Sequence, residues 1–183
     1  MNKKSSILLA LLSSTAILSA GESSHYISAM MGSLDYDKTV YGDTDGNEIR
    51  YQSISDASVT GLNYTWLKSI GENEILIGVS PQLLLNDGAF FDGGFFNVNF
   101  LAGKAFGDFK LYGNLGYGIN SLSEYTASAG ENYGITARYD IAKHFSAALS
   151  YNIYKMDIGT VERNNPTNSY EAKGLVGSLS LKF

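Results

Sequence analysis

The sequence ends at residues 175–183 with Leu-Val-Gly-Ser-Leu-Ser-Leu-Lys-Phe, in which apolar positions alternate with small or polar ones. Successive side chains of a β-strand point to opposite faces, so this alternation predicts a strand with one apolar face. The apolar face would carry Leu175, Leu179, Leu181 and the terminal Phe183. The opposite face would carry Lys182 and serines, with Val176 as an apolar exception. This pattern is typical of a strand between lipid and the lumen of a membrane barrel; an amphipathic edge strand is the alternative.

The start of the sequence has the features of a cleavable signal peptide. Two N-terminal lysines precede an apolar run over residues 7–18, and small residues follow it. The run is too short to span a bilayer as a helix, which needs about 20 apolar residues. We expect cleavage after Ala20, with Gly21 as the alternative site. Residues 1–20 would then form the signal peptide, and residues 21–183 a single barrel domain.

The composition argues against a lipid anchor, against nucleic acid as a partner and against membrane-spanning helices. The sequence has no cysteine, which excludes a lipid-modified cysteine and disulfide bonds. Its net charge is −5 at pH 7, and loss of the signal peptide would remove lysines and no acid, which makes the mature chain more negative. Such a chain is unsuited to binding nucleic acid, because the phosphate backbone is also negatively charged. The mean hydropathy of −0.06 is too low for a helical membrane protein but fits strands of which only alternate residues face lipid.

Eight segments of the chain show the period-two alternation of strands, separated by turn-forming residues. They cover approximately residues 26–34, 59–67, 75–85, 95–103, 109–119, 132–140, 145–153 and 175–183. In the first segment both faces carry apolar residues, one face beginning at Tyr26 and the other at Ile27. The alternation therefore does not decide which face of this strand points outward. Pro81 in the third segment has no N–H to donate to a ladder, which predicts a bulge at that point.

The connections between these segments alternate between short and long. The short ones cover residues 68–74, 104–108 and 141–144, and the long ones residues 35–58, 86–94, 120–131 and 156–168. Bacterial membrane barrels have short periplasmic turns and longer extracellular loops. We therefore predict an all-β fold, an eight-stranded antiparallel up-and-down transmembrane β-barrel with both termini on the periplasmic side.

Aromatic residues recur on the predicted outward face next to the short connections. Aromatic side chains concentrate at membrane interfaces, because they combine an apolar body with a polar edge. The predicted periplasmic girdle consists of Trp66, Phe109, Tyr139, Phe145 and Phe183.

The turn between the sixth and seventh strands reads Tyr-Asp-Ile-Ala-Lys-His-Phe at residues 139–145, and the chain ends in Leu-Lys-Phe. With the signal peptide and the eight strands, these features resemble the small outer-membrane barrels of the opacity-protein, OmpX and OmpA-barrel type, a porin-like family. The resemblance implies a location in the bacterial outer membrane, among lipid and lipopolysaccharide. It also implies insertion by the barrel-assembly machinery, since residues 175–183 resemble its recognition signal. Activity stays open, because such barrels serve as adhesins, envelope stabilisers, narrow pores or lipid-modifying enzymes.

The sequence offers little for acyl chemistry on lipid, which needs a base beside a nucleophile and an acid to orient the base. Its two histidines, His25 and His144, both fall at the predicted periplasmic end. Ser146 follows His144 on the same predicted face, but no acid is placed to orient the histidine. The acidic stretch at residues 43–48 lacks the spacing of a calcium loop. We therefore expect no catalytic residue, no cofactor and no metal.

The predicted lumen is charged near its periplasmic end. Face parity turns five ionisable side chains inward there, namely Glu74, Lys110, Arg138, Asp140 and Lys182. Opposite charges in a narrow lumen should pair, unless Asp140 and Lys182 already lie in the headgroup layer. Eight-stranded barrels are filled by their own side chains, but Gly116, Gly118, Gly134 and Ser150 would leave room for water. A narrow pore in which the basic residues favour anions is therefore an alternative.

The residue pattern favours a non-enzymatic, monomeric outer-membrane barrel whose exposed loops contribute to envelope integrity or to adhesion to a host or surface ligand. Five aromatic residues of the predicted loops are candidates for such contact, namely Tyr36, Tyr41, Phe90, Phe91 and Tyr125. The alternative is a narrow passive pore for small solutes, and a lipid A-modifying enzyme ranks third.

Overall fold

The computed structural model describes residues 22–41, 48–72, 74–87, 93–122, 125–158 and 168–183. Its strands are β1 Ser23–Tyr41, β2 Glu48–Ile70, β3 Ile75–Asp87, β4 Gly93–Phe106, β5 Phe109–Leu122, β6 Tyr125–Ala142, β7 Phe145–Ile158 and β8 Asn168–Lys182. They form one closed antiparallel barrel in which neighbours in the chain pair and β1 pairs with β8, as predicted. The predicted signal peptide, residues 1–20, and the acidic residues 43–47 lie outside the described ranges. Among the residues described, no helix is long and apolar enough to cross a membrane.

Side chains alternate between the outside and the inside of the barrel along each strand. In β1 the ambiguity is resolved, because Ile27 and Met31 are more than half exposed. Tyr26 and Leu34, in contrast, are fully buried in the lumen. The same alternation gives every strand an outer face with large apolar side chains, among them Leu62, Phe96, Phe100, Leu115, Ile119, Leu149 and Leu179. An apolar surface around the whole barrel needs lipid as its surroundings.

Most strands extend beyond the segments predicted for them. β1 and β2 pair as far as Tyr41 with Glu48, so most of the predicted loop at residues 35–58 is strand. The connection between β5 and β6 is limited to residues 123–124. The predicted lengths of these loops are wrong because strand pairing joins main-chain N–H and C=O groups, so it continues where the apolar alternation of the sequence ends. The short turns of the opposite side lie at residues 71–74, 107–108 and 143–144.

Pro81 interrupts the ladder between β2 and β3 without adding a residue to either strand. Pairing stops after Asn63 and resumes at Trp66 in the same register, so the predicted bulge is wrong. One lumen side chain bonds across this gap, because the Ser80 hydroxyl accepts a hydrogen bond of 2.8 Å from the Asn63 amide of β2. On the other side of β3, the Ser80 carbonyl accepts a hydrogen bond of 3.2 Å from the Asn99 amide of β4. These bonds offset the donor that proline lacks.

The barrel interior has three layers along its axis. The upper cluster, on the extracellular side, consists of Met30, Leu34, Tyr36, Ala57, Val59, Leu84, Phe95, Tyr154, Ala172 and Val176. The lower cluster, near the periplasmic end, consists of Tyr26, Leu67, Leu76, Leu101, Ala105 and Tyr112. Polar side chains fill the layer between them, including Gln82, Asn99, Thr136 and Ser150. The prediction of a polar lumen therefore holds for the middle layer and fails for the two apolar clusters.

Candidate functional site

Asp140 lies at the periplasmic end of the lumen, and one of its carboxylate oxygens accepts hydrogen bonds from three side chains. Its Oδ2 accepts hydrogen bonds from Lys110 Nζ at 2.7 Å, from Lys182 Nζ at 2.5 Å and from the Tyr26 hydroxyl at 3.4 Å. The four side chains belong to β6, β5, β8 and β1, so the contacts cross the seam between the first and last strands. Asp140 is only 6% exposed, and ion pairs so buried are screened little by water.

Arg138, the fourth residue predicted for this cluster, is held by neutral groups. Its Nε donates to the Tyr112 hydroxyl at 3.2 Å. Its Nη1 donates to the hydroxyls of Ser146 and Ser180, each at 2.8 Å. The guanidinium carbon lies 4.2 Å from the centre of the Tyr26 ring, within the range of a cation–π contact. Arg138 therefore forms no ion pair with a carboxylate of the described residues.

Glu74, the fifth predicted residue, lies in the turn before β3 and is exposed. Its φ of 54° is left-handed, so strand alternation does not determine where its side chain points. The inward orientation of Glu74 therefore stays a prediction. The residue borders a cavity of about 240 Å³ at the periplasmic end, whose other ionisable lining residues are Glu22, Asp108, Lys110, Asp140 and Lys182.

The upper cluster closes the lumen toward the extracellular side. The rings of Phe95 and Tyr154 lie 5.7 Å apart, and the Tyr154 hydroxyl donates to Gln82 at 3.3 Å. Tyr36 is 2% exposed within this cluster, so the prediction that it is an exposed loop residue is wrong. Val176, the apolar exception of the last strand, is fully buried here. Its inward position is explained by the apolar layer, which the alternation of a single strand does not reveal.

Asparagine side chains fill the space beside the lumen glycines. The pairs that face each other across the ladders are Asn97 with Gly118, Asn99 and Asn132 with Gly116, and Asn114 and Asn152 with Gly134. A Cβ added at Gly118 would collide with the amide of Asn97, and one at Gly116 would collide with the amide of Asn99. The asparagine amides therefore occupy the space predicted for water beside Gly116 and Gly118, and the narrow pore stays a prediction.

One small polar cavity of the middle layer adjoins Arg138. Its volume is about 30 Å³, which is room for one or two water-sized species. Its polar lining includes Asn63, Ser80, Gln82, Asn99, Asn114, Thr136, Arg138, Ser150 and Asn152. The hydroxyls of Thr136 and Ser150 bond to each other at 2.9 Å. The cavity therefore has polar walls and room for no more than one or two small species.

The residues of the predicted aromatic girdle lie on the outside of the barrel. Phe109, Tyr139, Phe145 and Phe183 are exposed, and Trp66 is half-buried. Two neighbours were missed: Phe106 lies 6.3 Å from Phe109, and His25 stacks on Phe183 at 5.7 Å. Both fell outside the predicted strands, so no outward face was assigned to them. The position of the girdle at the membrane interface stays a prediction.

Neither histidine bonds to a serine hydroxyl of the described residues. His144 is exposed in its turn, and its Nδ1 lies 3.2 Å from the carbonyl oxygen of Lys182. Ser146 is buried and accepts a hydrogen bond from Arg138. His25 shares a hydrogen bond of 2.7 Å with the Tyr64 hydroxyl. Within the described ranges, no group of histidine and acidic side chains could hold a metal ion.

Comparison with known proteins identifies the fold. No protein-family model matches the sequence, and no curated protein is significantly similar to it. The outer membrane protein OprG from Pseudomonas aeruginosa has a TM-score of 0.50 and 17% identity, covering 89% of this chain and 97% of OprG. Neisserial surface protein A has a TM-score of 0.45 and 16% identity, over 84% of this chain and 95% of that one. Ail, the attachment invasion locus protein of Yersinia pestis, solved with the heparin analogue sucrose octasulfate, has a TM-score of 0.40 and 15% identity, over 87% and 99% of the two chains.

At these identities the similarity concerns the fold alone. The OprG match spans nearly the full length of both chains. It agrees with the closed barrel and with the apolar outer face of every strand. The chain therefore has the fold of the small eight-stranded barrels of the bacterial outer membrane, where its apolar outer surface lies in lipid.

Proposed function

We propose that this protein is a non-enzymatic, non-conducting, monomeric outer-membrane barrel that acts through its extracellular surface, in envelope integrity or in adhesion. The observation that carries the proposal is the closed lumen. Tyr36, Phe95 and Tyr154 of the upper cluster are each 2% exposed. Packed apolar side chains exclude water and so present a barrier to ions and polar solutes. A barrel that does not conduct can act only through the surfaces that it exposes.

The extracellular hairpins are the parts of the chain that a partner would meet first. β1 and β2 pair as far as Tyr41 with Glu48, and β7 and β8 as far as Ile158 with Asn168. Of the other aromatic residues predicted to contact a ligand, Tyr125 begins β6, whereas Phe90 and Phe91 lie outside the described residues. These hairpins support the adhesion proposal because they raise the connecting segments above the lipid surface.

A row of outward-facing charged side chains supports the assignment of this end as extracellular and water-exposed. Glu131, Lys155, Glu171 and Asp37 stand opposite one another on β6, β7, β8 and β1. Lys173 forms an ion pair of 2.8 Å with Asp37, and Lys155 lies 3.7 Å from Glu171. Such partly exposed pairs contribute little stability, but their charges fit an outer surface that meets water rather than lipid.

Planar-bilayer recording tests whether the lumen conducts. We expect no unitary steps from the wild-type protein at high loading, because the upper cluster blocks the path. The double substitution Phe95→Ala and Tyr154→Ala removes the two packed rings and should produce leak currents. The matched control is Phe96→Ala, whose side chain faces lipid beside Phe95 and whose loss should leave the barrel silent. Reproducible steps from the wild type would contradict the proposal and favour the narrow passive pore.

A cellular assay tests the surface role. Cells that express the full chain are compared with cells whose connecting segments 42–47 and 159–167 are replaced by short glycine-serine linkers. Adhesion to host-cell or matrix surfaces should fall, while the heat-dependent gel shift of the folded barrel stays unchanged. The sensitivity of the same cells to detergent measures envelope integrity. If the replacement changes neither adhesion nor this sensitivity, both proposed surface roles are overturned. An altered acylation pattern of lipid A on expression would instead favour the lipid-modifying enzyme.

A further inference from the structure

Arg138 is a buried cation that lacks an anionic partner. It is 2% exposed, and its three hydrogen bonds end on the hydroxyls of Tyr112, Ser146 and Ser180. All three come from Nε and Nη1, so Nη2 donates to none of the described residues. A buried charge that is compensated only by neutral dipoles is costly. An anion close to Nη2 would remove much of this cost.

The only buried carboxylate among the described residues is already shared. Asp140, two residues along the same strand, pairs with both Lys110 and Lys182. Glu22, Glu74 and Asp108 line the periplasmic cavity with these two lysines, and none of them forms an ion pair with Arg138. An arginine cannot lose its charge by deprotonation inside a protein, so Arg138 stays charged without a carboxylate of its own among the described residues.

The polar cavity of about 30 Å³ has Arg138 among its lining residues. Thr136 and Ser150 line it with hydroxyls whose hydrogens can rotate. Asn114 also lines it, and its buried Oδ1 accepts no hydrogen bond from a described residue. A flip of this amide exchanges the positions of its oxygen and its N–H groups, so Asn114 can also supply a donor. The cavity therefore combines a permanently charged residue with side chains that can donate hydrogen bonds, and it has the size of one small ion.

We propose that this cavity binds one small monovalent anion of the chloride type as a structural counter-ion of Arg138. The anion accepts hydrogen bonds from Nη2 of Arg138 and from the hydroxyl and amide donors of the cavity. The upper cluster closes the lumen above it, so the ion is enclosed rather than transported. This inference concerns the interior of the barrel and does not depend on the role of the extracellular loops.

Anion-dependent stability provides the first test. The purified full-length mature protein is folded in detergent micelles, and its unfolding midpoint is measured by the heat-dependent gel shift at constant sodium and ionic strength. Replacing gluconate by chloride should raise the midpoint by about 3–5 °C and reach a plateau, as binding to the folded state alone requires. In Arg138→Met this chloride dependence should disappear. The control Lys155→Met removes an exposed lysine outside the lumen and should keep it.

Crystals of the wild-type protein grown in bromide provide the second test, which does not require the Arg138→Met variant to fold. We expect an anomalous peak of bromide in the cavity, within hydrogen-bond distance of the guanidinium. Water density without a halide peak would overturn the proposal. A chloride-independent midpoint of the wild type would also overturn it, as would a chloride response that persists in Arg138→Met.

Discussion

His25 and Phe183 join the first and last strands at the periplasmic end of the barrel. Their rings stack with centroids 5.7 Å apart and planes 15° from parallel. Their backbones exchange two hydrogen bonds, of 3.2 Å and 3.0 Å. The hydrogen bond between His25 and Tyr64 extends the contact to β2. The last residue of the chain therefore belongs to the seam that closes the barrel.

The substitution Phe183→Ala should weaken this seam. Loss of the stacked ring should lower the free energy of unfolding by about 1 kcal/mol, the range measured for aromatic pairs. The matched control is Phe109→Ala, an outward aromatic at the same end but away from the seam. Urea unfolding in detergent measures both variants, and equal losses would contradict a special role of the seam.

Assembly of the Phe183→Ala variant in cells distinguishes two roles of Phe183. One is packing in the seam of the barrel, and the other is recognition by the barrel-assembly machinery. We propose that Leu175, Leu179, Leu181 and Phe183 form the signal that the barrel-assembly machinery reads, so Phe183→Ala should reduce the folded protein in outer-membrane fractions several-fold. Normal folding in detergent combined with poor assembly in cells would support recognition. Normal assembly in cells would contradict it.

The substitution Gly118→Ala should destabilise the barrel by about 1–3 kcal/mol, the range for overpacked interiors. The added methyl group would collide with the Asn97 amide and would lie 2.6 Å from the carbonyl oxygen of Phe96. Gly113→Ala is the control on the same strand, because a Cβ there faces outward with its nearest neighbour at 3.7 Å. Chemical unfolding measures both, and equal stabilities of the two variants would show that the asparagine amides yield easily.

The substitution Asp140→Asn should cost about 3 kcal/mol, because it leaves Lys110 and Lys182 side by side without the buried carboxylate that pairs with both. The side chain of Lys182 is 27% exposed, which keeps the loss at the lower end of the range for buried pairs. Asp108→Asn is an exposed control at the same end of the barrel and should change stability by less than about 0.5 kcal/mol. The decisive comparison is between the free energies of unfolding of Asp140→Asn alone and of Asp140→Asn combined with Lys110→Met. Removing one lysine should restore part of the stability that Asp140→Asn loses.

Trp66 is the only tryptophan of the sequence, so its fluorescence reports on one site of the predicted girdle. If the girdle lies at the membrane interface, lipids brominated close to the headgroup should quench Trp66 more strongly than lipids brominated at the chain ends. The double substitution Trp66→Phe and Leu62→Trp provides the comparison, because Leu62 lies four residues along β2 within the apolar outer surface. Stronger quenching of Trp66 by deep bromines would contradict the girdle.

The membrane surface of this protein could be predicted in detail. Odd residues of β3 from Ile75 to Leu85 and even residues of β4 from Phe96 to Ala102 face outward as the alternation requires. This success has a simple cause: each outward residue meets the same lipid, so its environment depends on its own position in the strand and on no partner.

The interior could be predicted only in part. The alternation placed Lys110, Arg138, Asp140 and Lys182 inside, and the structure buries all but Lys182 almost completely. It could not tell that Asp140 binds the two lysines while Arg138 binds hydroxyls. Those choices depend on which residues stand opposite one another across the ladders and across the lumen.

The sequence by itself determined the class of the fold, the number of strands and the face of nearly every strand residue, because these follow from a two-residue period and from the contrast between lipid and lumen. Only the tertiary structure decided what closes the lumen. The upper cluster assembles Leu34, Phe95 and Tyr154 from strands far apart in sequence, and Asn97 covers Gly118 through the register of two strands. Register and barrel closure bring these side chains together, and neither is encoded in the alternation of a single strand.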